Sequence, residues 1–446
     1  MTANTLAQQI ESSAISFSDL EKDYRPMLKL VEQMIGVVPN CDPYLEIWPT
    51  GFRTYNLLVP NLLNVPQAIL GQGAPKDLVG LSMYVASRAA ECMYCSAHTC
   101  SFALRRGTSP EALVGDYSPV EAAVARVAEG MSRVPANLKK SDIEVLREHL
   151  DDGDIEWVIL GAAMMGFLNK FMDTMGIELE QSAINDVSDL ITSTGWRAGK
   201  HNWSENVYDD FGLTEGRPLP AAPSESTNGD RPGGSYRDVP KDGMGTYFKV
   251  LRSTPAALRK DLQWNRGMST RPGLALLRLE EQIGHAYTTL ASLNHTRAVR
   301  AIATTVRDNL DPETSELGLG SKCLIALVYA RVVGNDVLTA EAVQMAERLA
   351  PEIGHRKLTA IGRFASADMT TATLPPGLST VEAASVMLAK AAAPSPSAVN
   401  GITIATVADS LTPAQIVEAV VWLSVQQLLH RLYVFYDADN DFIDFD

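Results

Sequence analysis

The sequence predicts an all-α protein, on two observations. Four long stretches place apolar residues at helical spacing, namely 17–38, 154–175, 273–307 and 412–436. Alternating runs of β-branched residues, which are typical of strands, are scarce. In the first stretch Ser18 stands before the apolar stripe, where its hydroxyl can cap the helix. We therefore expect helices along most of the chain and little strand.

Composition and charge narrow the class of protein. The chain has 446 residues, of which 46% are hydrophobic, enough to bury about two domain cores. A net charge of −15 argues against nucleic acid or an anionic membrane as a partner, because both attract clustered Lys and Arg. The N-terminus lacks a signal-peptide pattern, and the longest apolar run, 157–168, is too short to span a bilayer. We expect a cytoplasmic protein.

A segment rich in proline, glycine and short polar residues divides the chain near its middle. Residues 215–245 read EGRPLPAAPSESTNGDRPGGSYRDVPKDGMG, a composition typical of an exposed linker. The linker separates a first domain, 1–214, from a second domain, 246–446.

The two domains share a sequence pattern at constant spacing. Residues 118–123 read SPVEAA and residues 379–384 read STVEAA, 261 residues later. The same offset pairs Ala128 with Ala389, Pro135 with Pro396, Leu150 with Leu411 and Ile155 with Ile416. Upstream, an offset of 243 lays Val85 over Val328 and leaves 18 extra residues in the second domain, near 352–374. These matches predict a tandem repeat; the alternative is two unrelated helical domains with similar alanine-rich patterns.

Three of the five cysteines lie with a histidine within nine residues of one predicted helix. Residues 81–106 read LSMYVASRAAECMYCSAHTCSFALRR and contain Cys92, Cys95, His98 and Cys100. Residues three apart share a helix face, so Cys92 and Cys95 come within reach of disulfide geometry and His98 reaches Cys95. At the offset of 243 the second copy holds no thiol at these positions, which are Asn335, Leu338 and Glu341.

This spacing fits thiol redox chemistry. A free thiol, with a pKa of about 8.5, is mostly unreactive at neutral pH, and an adjacent imidazole can take its proton. A second thiol three residues away can then resolve a sulfenic acid or a mixed disulfide. One alternative is a pair of buried, unreactive cysteines. The other is a zinc site, but four ligands within nine helical residues cannot converge on one ion, so we expect no metal.

The residues that follow the cysteines extend the pattern. Residues 107–113 (GTSPEAL), 117–123 (YSPVEAA) and 154–171 (DIEWVILGAAMMGFLNKF) form a turn, an alanine-rich helix and a late apolar helix. With the C-x-x-C and the nearby His, this arrangement resembles the carboxymuconolactone decarboxylase and alkylhydroperoxidase D-like family. The match covers 57–178 and, through the repeat, 317–440. The resemblance implies two tandem copies of the alkylhydroperoxidase D-like helical fold, no metal or organic cofactor, and assembly into homo-oligomers.

The resemblance also implies roles for individual residues. Cys95 corresponds to the peroxidatic thiol, Cys92 to the resolving thiol and His98 to the proton-relay imidazole. The family's histidine usually stands one residue later than His98. Its relay glutamate, about twelve residues before the first cysteine, is replaced here by Gly80. Three other carboxylates are candidates for that role: Glu91, Asp77 and Glu121.

The leading functional interpretation is a cofactor-free thiol peroxidase. It would reduce a hydroperoxide through a Cys92–Cys95 disulfide cycle, with His98 as proton relay and a protein or a small thiol as reductant. One alternative is a lyase or isomerase of the decarboxylase type, in which His98 and a carboxylate move protons. The other is a non-catalytic helical assembly protein. His201 and Trp203 are assigned to a surface loop.

Overall fold

Helices make up most of the described chain. The computed structural model describes residues 4–14, 17–65, 74–203, 235–368 and 372–439. Within these ranges there are twenty α-helices, six 3-10 helices and no strand, which confirms the all-α prediction.

Most of the predicted linker, 215–234, lies outside the described residues. Its last part, 235–245, is bound to the first half of the chain and is not a free linker. Ser235 donates to Asp189 at 2.6 Å through its hydroxyl, and the Tyr236 amide donates to the same carboxylate at 3.2 Å.

The first half, up to residue 203, contains eleven α-helices. They are α1 (Leu6–Ile10), α2 (Phe17–Ile35), α3 (Asp42–Glu46), α4 (Pro49–Leu62), α5 (Lys76–Ala89), α6 (Met93–Arg106), α7 (Pro110–Leu113), α8 (Pro119–Ser132), α9 (Lys140–Arg147), α10 (Asp152–Met175) and α11 (Gln181–Ile191). Short 3-10 helices occupy Glu11–Ser13, Thr192–Thr194 and Gly199–His201.

The second half, from residue 235, contains nine α-helices among its described residues. They are α12 (Met244–Trp264), α13 (Pro272–Ile283), α14 (Thr296–Asn309), α15 (Leu319–Val333), α16 (Asp336–Leu349), α17 (Gly354–Ser366), α18 (Thr380–Ala392), α19 (Gly401–Ser410) and α20 (Pro413–Asp439). The 3-10 helices here are Tyr236–Asp238, Thr288–Ser292 and Pro351–Ile353.

Helix boundaries recur at the two offsets found in the sequence. The offset of 243 carries both ends of α6 onto both ends of α16. The offset of 261 carries the first residues of α8, α9 and α10 onto those of α18, α19 and α20. The extra helix α17 falls within the predicted 18-residue insertion. The tandem repeat itself stays a prediction, because helix order and length do not measure superposition.

The centre of the protein is the contact between α10 and α20. By length and composition α10 could cross a membrane, but 94% of its most apolar window is buried inside the protein, as in a core helix. It packs against α5, α6 and α8 of its own half and against α20 of the other. The halves also meet where α4 packs on α14 and α2 on α12, so the predicted domains share extensive contacts.

Gly166 permits the close approach of α10 and α20. A Cβ added there would stand 2.9 Å from the carbonyl oxygen of Gln427 and 3.0 Å from Cδ of Arg431. Beside this contact the Arg431 guanidinium donates to the carbonyl oxygen of Ala162 at 2.6 Å. Any side chain at position 166 would push the two helices apart.

Replacing Gly166 by alanine should destabilise the protein by about 1–3 kcal/mol, because the new Cβ must displace the backbone of α20. Urea-induced unfolding followed by circular dichroism measures this. Gly153→Ala is the matched control in the same helix. Its Cβ would meet only the Oδ1 atom of Asp151, at 3.3 Å, and alanine favours the helix. Equal unfolding midpoints for the two variants would contradict the close approach.

Candidate active site

Cys92 and Cys95 lie where α6 begins. Cys92 is the N-cap residue, and its sulfur accepts a hydrogen bond from the Cys95 amide with an N···S distance of 3.4 Å. The first amides of a helix have no acceptor within the helix, so this end favours negative charge. Both side chains are buried free thiols. The helix start therefore directs its free amides toward the first of the two thiols.

A tight turn between α5 and α6 places Cys92 at the helix start. Glu91, in this turn, has a φ of 53°, in the left-handed region that few side chains adopt. The Cys92 amide donates back to the Ser87 carbonyl at 3.1 Å. In α5, a Cβ at Gly80 would stand 2.9 Å from Cα of Ala103 in α6. The close packing of α5 on α6 thus leaves no space for a glutamate at position 80.

Cys95 faces a small apolar cavity of about 60 Å³. Its walls come from the loop before α3 and from α2, α4, α5, α6 and α10, and are mostly aliphatic and aromatic: Ile35, Pro39, Tyr55, Val59, Leu63, Met83, Tyr94, Cys95, His98, Thr99, Phe102, Met164, Met165, Leu168 and Met172. Cys92 and Cys100 do not line this cavity. A molecule in it would meet one thiol, Cys95, with His98 beside it.

Glu180 is the carboxylate that holds His98. The His98 Nε2 and Glu180 Oε2 atoms are 2.6 Å apart. The other oxygen accepts from the Tyr94 hydroxyl at 2.8 Å and from the Asn40 amide at 2.5 Å. Burial raises the pKa of Glu180, but His98 and the Asn40 amide lower it more, to below its ordinary value. The carboxylate is therefore ionised at neutral pH and fixes the imidazole.

The carboxylate that contacts His98 is Glu180, and neither of the sequence-based candidates Glu91 and Glu121 occupies that position. Glu121 caps its own helix, α8, by accepting from the amide and hydroxyl of Ser118 at 2.8 and 2.6 Å. Glu91 is exposed in the turn. Glu180 cannot be identified from the sequence, because it lies 82 residues after His98, at the N-cap of α11. No local spacing connects the two.

A second group of buried charges lies behind the thiols, around Asp173 of α10. The Lys200 ammonium approaches its carboxylate to 2.9 Å and the Ser397 amide to 2.6 Å. Burial raises the pKa of Asp173, but Lys200, His201 and Ser397 lower it more, to well below its usual range. His201 is only 1% exposed, and its Nδ1 lies 2.7 Å from the Ile177 carbonyl. The surface-loop assignment of His201 is therefore wrong.

The local environment works against a thiolate at Cys95. Burial raises the pKa of the Cys95 thiol well above its usual value, and Cys92, Asp173 and Cys41 raise it further. Burial likewise raises the pKa of Cys100. The Cys95 thiol therefore stays protonated at neutral pH unless another group takes its proton. Among the described residues, no three His, Cys, Asp or Glu side chains are placed to hold a metal ion.

Comparisons with known proteins give little further information. No family model and no curated protein matches the chain. Two crystal structures of the debrominase Bmp8, one apo and one of a variant in complex with 2,3,4-tribromopyrrole, match with 22% identity and a TM-score of 0.34. The matches cover 38% of this chain and 92% and 91% of those chains. At this TM-score they establish neither a shared fold nor a shared activity.

Replacing Glu180 by glutamine should lower the free energy of unfolding at pH 7 by about 1–3 kcal/mol, because His98 and Tyr94 lose a charged acceptor. The folded-state pKa of Glu180 lies below its ordinary 4.5. Its contribution is therefore full above about pH 4.5 and is lost as the pH falls through the folded-state value.

Urea unfolding at pH 7 and at acidic pH tests this. The difference between the original protein and Glu180→Gln should shrink at the lower pH. The exposed variant Glu91→Gln should show little difference at either pH. A Glu180→Gln effect that is the same at both pH values would contradict the charged pairing with His98.

Proposed function

We propose that the protein is a thiol peroxidase that reduces small organic hydroperoxides. One observation carries the proposal: Cys95 opens onto an apolar cavity, with Cys92 bound to its amide and with His98, held by the ionised Glu180, at the same site. Each group then has a separate task. Cys95 attacks, Cys92 resolves, and His98 moves the proton while Glu180 orients it.

The first step oxidises Cys95. His98 takes the thiol proton, and the thiolate attacks the terminal oxygen of the hydroperoxide. The O–O bond breaks, the sulfur gains the terminal hydroxyl as a sulfenic acid, and the alkoxide leaves. His98 returns the proton to this alkoxide, which departs as an alcohol. Because Glu180 holds His98 in place, the ring can serve in both proton transfers.

The second step closes the disulfide. The Cys92 sulfur attacks the sulfenic sulfur of Cys95, an S–S bond forms, and hydroxide leaves with the Cys92 proton as water. The short contact from the Cys95 amide to the Cys92 sulfur keeps the resolving thiol next to its target. A thiol reductant, either a protein or a small molecule, then restores both thiols by exchange.

The cavity supports an apolar substrate. Four methionines, Met83, Met164, Met165 and Met172, contribute to its wall. Such a lining offers few partners for the hydroxyl groups of hydrogen peroxide, whereas it suits an alkyl group. A volume of about 60 Å³ is small, but methionine side chains repack readily. We expect organic hydroperoxides to react faster than hydrogen peroxide.

Substituting the two thiols separately should give different products. With tert-butyl hydroperoxide, Cys95→Ser should lose all peroxide-dependent thiol oxidation, because no attacking thiol remains. Cys92→Ser should stop at a Cys95 sulfenic acid, trapped by dimedone and identified by mass spectrometry. Cys100→Ser, a buried thiol of the same helix that does not line the cavity, is the control and should cycle normally. If Cys92→Ser is inert and Cys95→Ser is trapped, the two roles are reversed. If neither thiol reacts with any hydroperoxide, the proposed function is wrong.

Removing the relay carboxylate should slow the peroxide reaction. Glu180→Gln should reduce kcat/KM for tert-butyl hydroperoxide at pH 7 by at least about tenfold, because His98 loses its orienting partner. Alkaline pH should restore part of the rate, since hydroxide can then remove the thiol proton. Glu121→Gln is the matched control and should keep the original pH–rate profile. Equal profiles for all three proteins would exclude a carboxylate relay at Glu180.

A further inference from the structure

Arg431, on α20, is a buried cation without a matched anion. Its side chain is 1% exposed. The Nη1 atom donates to the Ala162 carbonyl at 2.6 Å, while Nε and Nη2 have no hydrogen-bond partner among the described residues. An unpaired charged nitrogen in a protein interior costs free energy, because it has lost the hydrogen bonds that water would make with it. A negative group that forms nearby during function would stabilise such a buried arginine.

The carboxylate in the same region is already engaged. Asp173 binds Lys200 and the Ser397 amide, and its charge is therefore balanced. Lys170 lies one turn before Asp173. Its ammonium donates hydrogen bonds to the carbonyls of Ala392, Ala393 and Pro394. Asp173 and Lys170 therefore have polar partners other than Arg431.

The groups that act electrostatically on Arg431 include both thiols. Burial lowers the pKa of Arg431 to about 10, and Tyr329, Cys95 and Cys92 oppose that shift. Arg431 therefore stays charged at neutral pH, whereas burial lowers the pKa of Lys170 to about 7. Burial raises the pKa of Tyr329, so this phenol stays neutral. Of the three groups, only the cysteines can supply an anion.

We propose that Arg431 is the counter-ion of the thiolate formed in the Cys92–Cys95 pair. The second half of the chain thereby completes a site whose nucleophile lies in the first half. The inference rests on the thiol chemistry proposed above. When the thiol proton leaves, Arg431 gains a negative partner; when the neutral disulfide forms, it loses that partner.

The position of Arg431 gives the second half a role that needs no cysteine. Lys170 and Arg431 are 261 residues apart, so the predicted repeat places them at equivalent positions of α10 and α20. The second copy has no thiol at the positions equivalent to Cys92 and Cys95. Cys92 interacts electrostatically with both Lys170 and Arg431, and Cys95 interacts with Arg431. Among the described residues, the titratable and charged groups that interact electrostatically with Cys92 or Cys95 are Cys41, Tyr55, Lys170, Asp173 and Arg431. Tyr94 and His98 line the same cavity as Cys95, and Glu180 is bound to both of them.

The test measures thiol ionisation in the reduced full-length chain, without peroxide. The rate of iodoacetamide alkylation at Cys95 and Cys92 is followed by mass spectrometry from pH 6 to pH 10. Arg431→Met should slow alkylation at pH 7 by about tenfold and move the profile up by about one pH unit, because the thiolate loses its counter-ion. His430→Gln changes the neighbouring buried side chain without removing a charge at neutral pH, since burial lowers the pKa of His430 to about 3. Its profile should stay unchanged.

Each outcome decides the proposal. A folded Arg431→Met protein with the original alkylation profile overturns it, and so does an equal shift in His430→Gln. If Arg431→Met does not fold, Arg431→Lys takes its place. This variant keeps the charge and should stay within about threefold of the original rate, and a larger fall would overturn the proposal. Because no hydroperoxide is used, a failed peroxidase assay and a failed counter-ion assay are separate results.

Discussion

The absence of a side chain at Gly166 is the constraint on which the arrangement of the two halves depends. It lets α20 approach α10 until the Gln427 carbonyl and the Arg431 side chain lie against the α10 backbone. Two long apolar helices could pack at a larger distance with ordinary side chains between them. The shorter distance brings a cation from each half into the same interior. Lys170 and Arg431 thus both interact electrostatically with Cys92, at the start of α6.

Burial and reactivity oppose each other at this site. The apolar cavity excludes water from Cys95, and that burial raises the pKa of its thiol. Surface-exposed cysteine would ionise more easily but would offer no selective pocket. In the proposed mechanism, fixed groups take the place of water: the amide that contacts Cys92, the ionised Glu180 that holds His98, and the buried Arg431. These groups need no reorganisation when negative charge forms.

The sequence predicts what local patterns determine and misses what only the fold brings together. Helical periodicity and the C-x-x-C spacing are visible along the chain. The turn that divides the single helix predicted over 81–106 into α5 and α6, and so puts Cys92 at a helix start, is not. Glu180 is not, because it reaches His98 only after the intervening helices α7 to α10 have folded back. A usable signal did exist for Arg431 and Asp173. Both are charged residues within otherwise apolar helical stretches, where such residues are rarely buried unless they pair.

Comparing Cys92 with Asn335 distinguishes what helix capping requires at this position from what thiol chemistry would require. The offset of 243 pairs these residues, and each is the N-cap of its helix and accepts a hydrogen bond from the amide three residues later, at 3.4 and 2.8 Å. Asparagine is among the preferred N-caps, so capping alone explains Asn335. Cysteine is a weak acceptor and a poorer cap. Stability therefore favours asparagine at this position, and the thiol chemistry proposed for Cys92 and Cys95 would account for the cysteine.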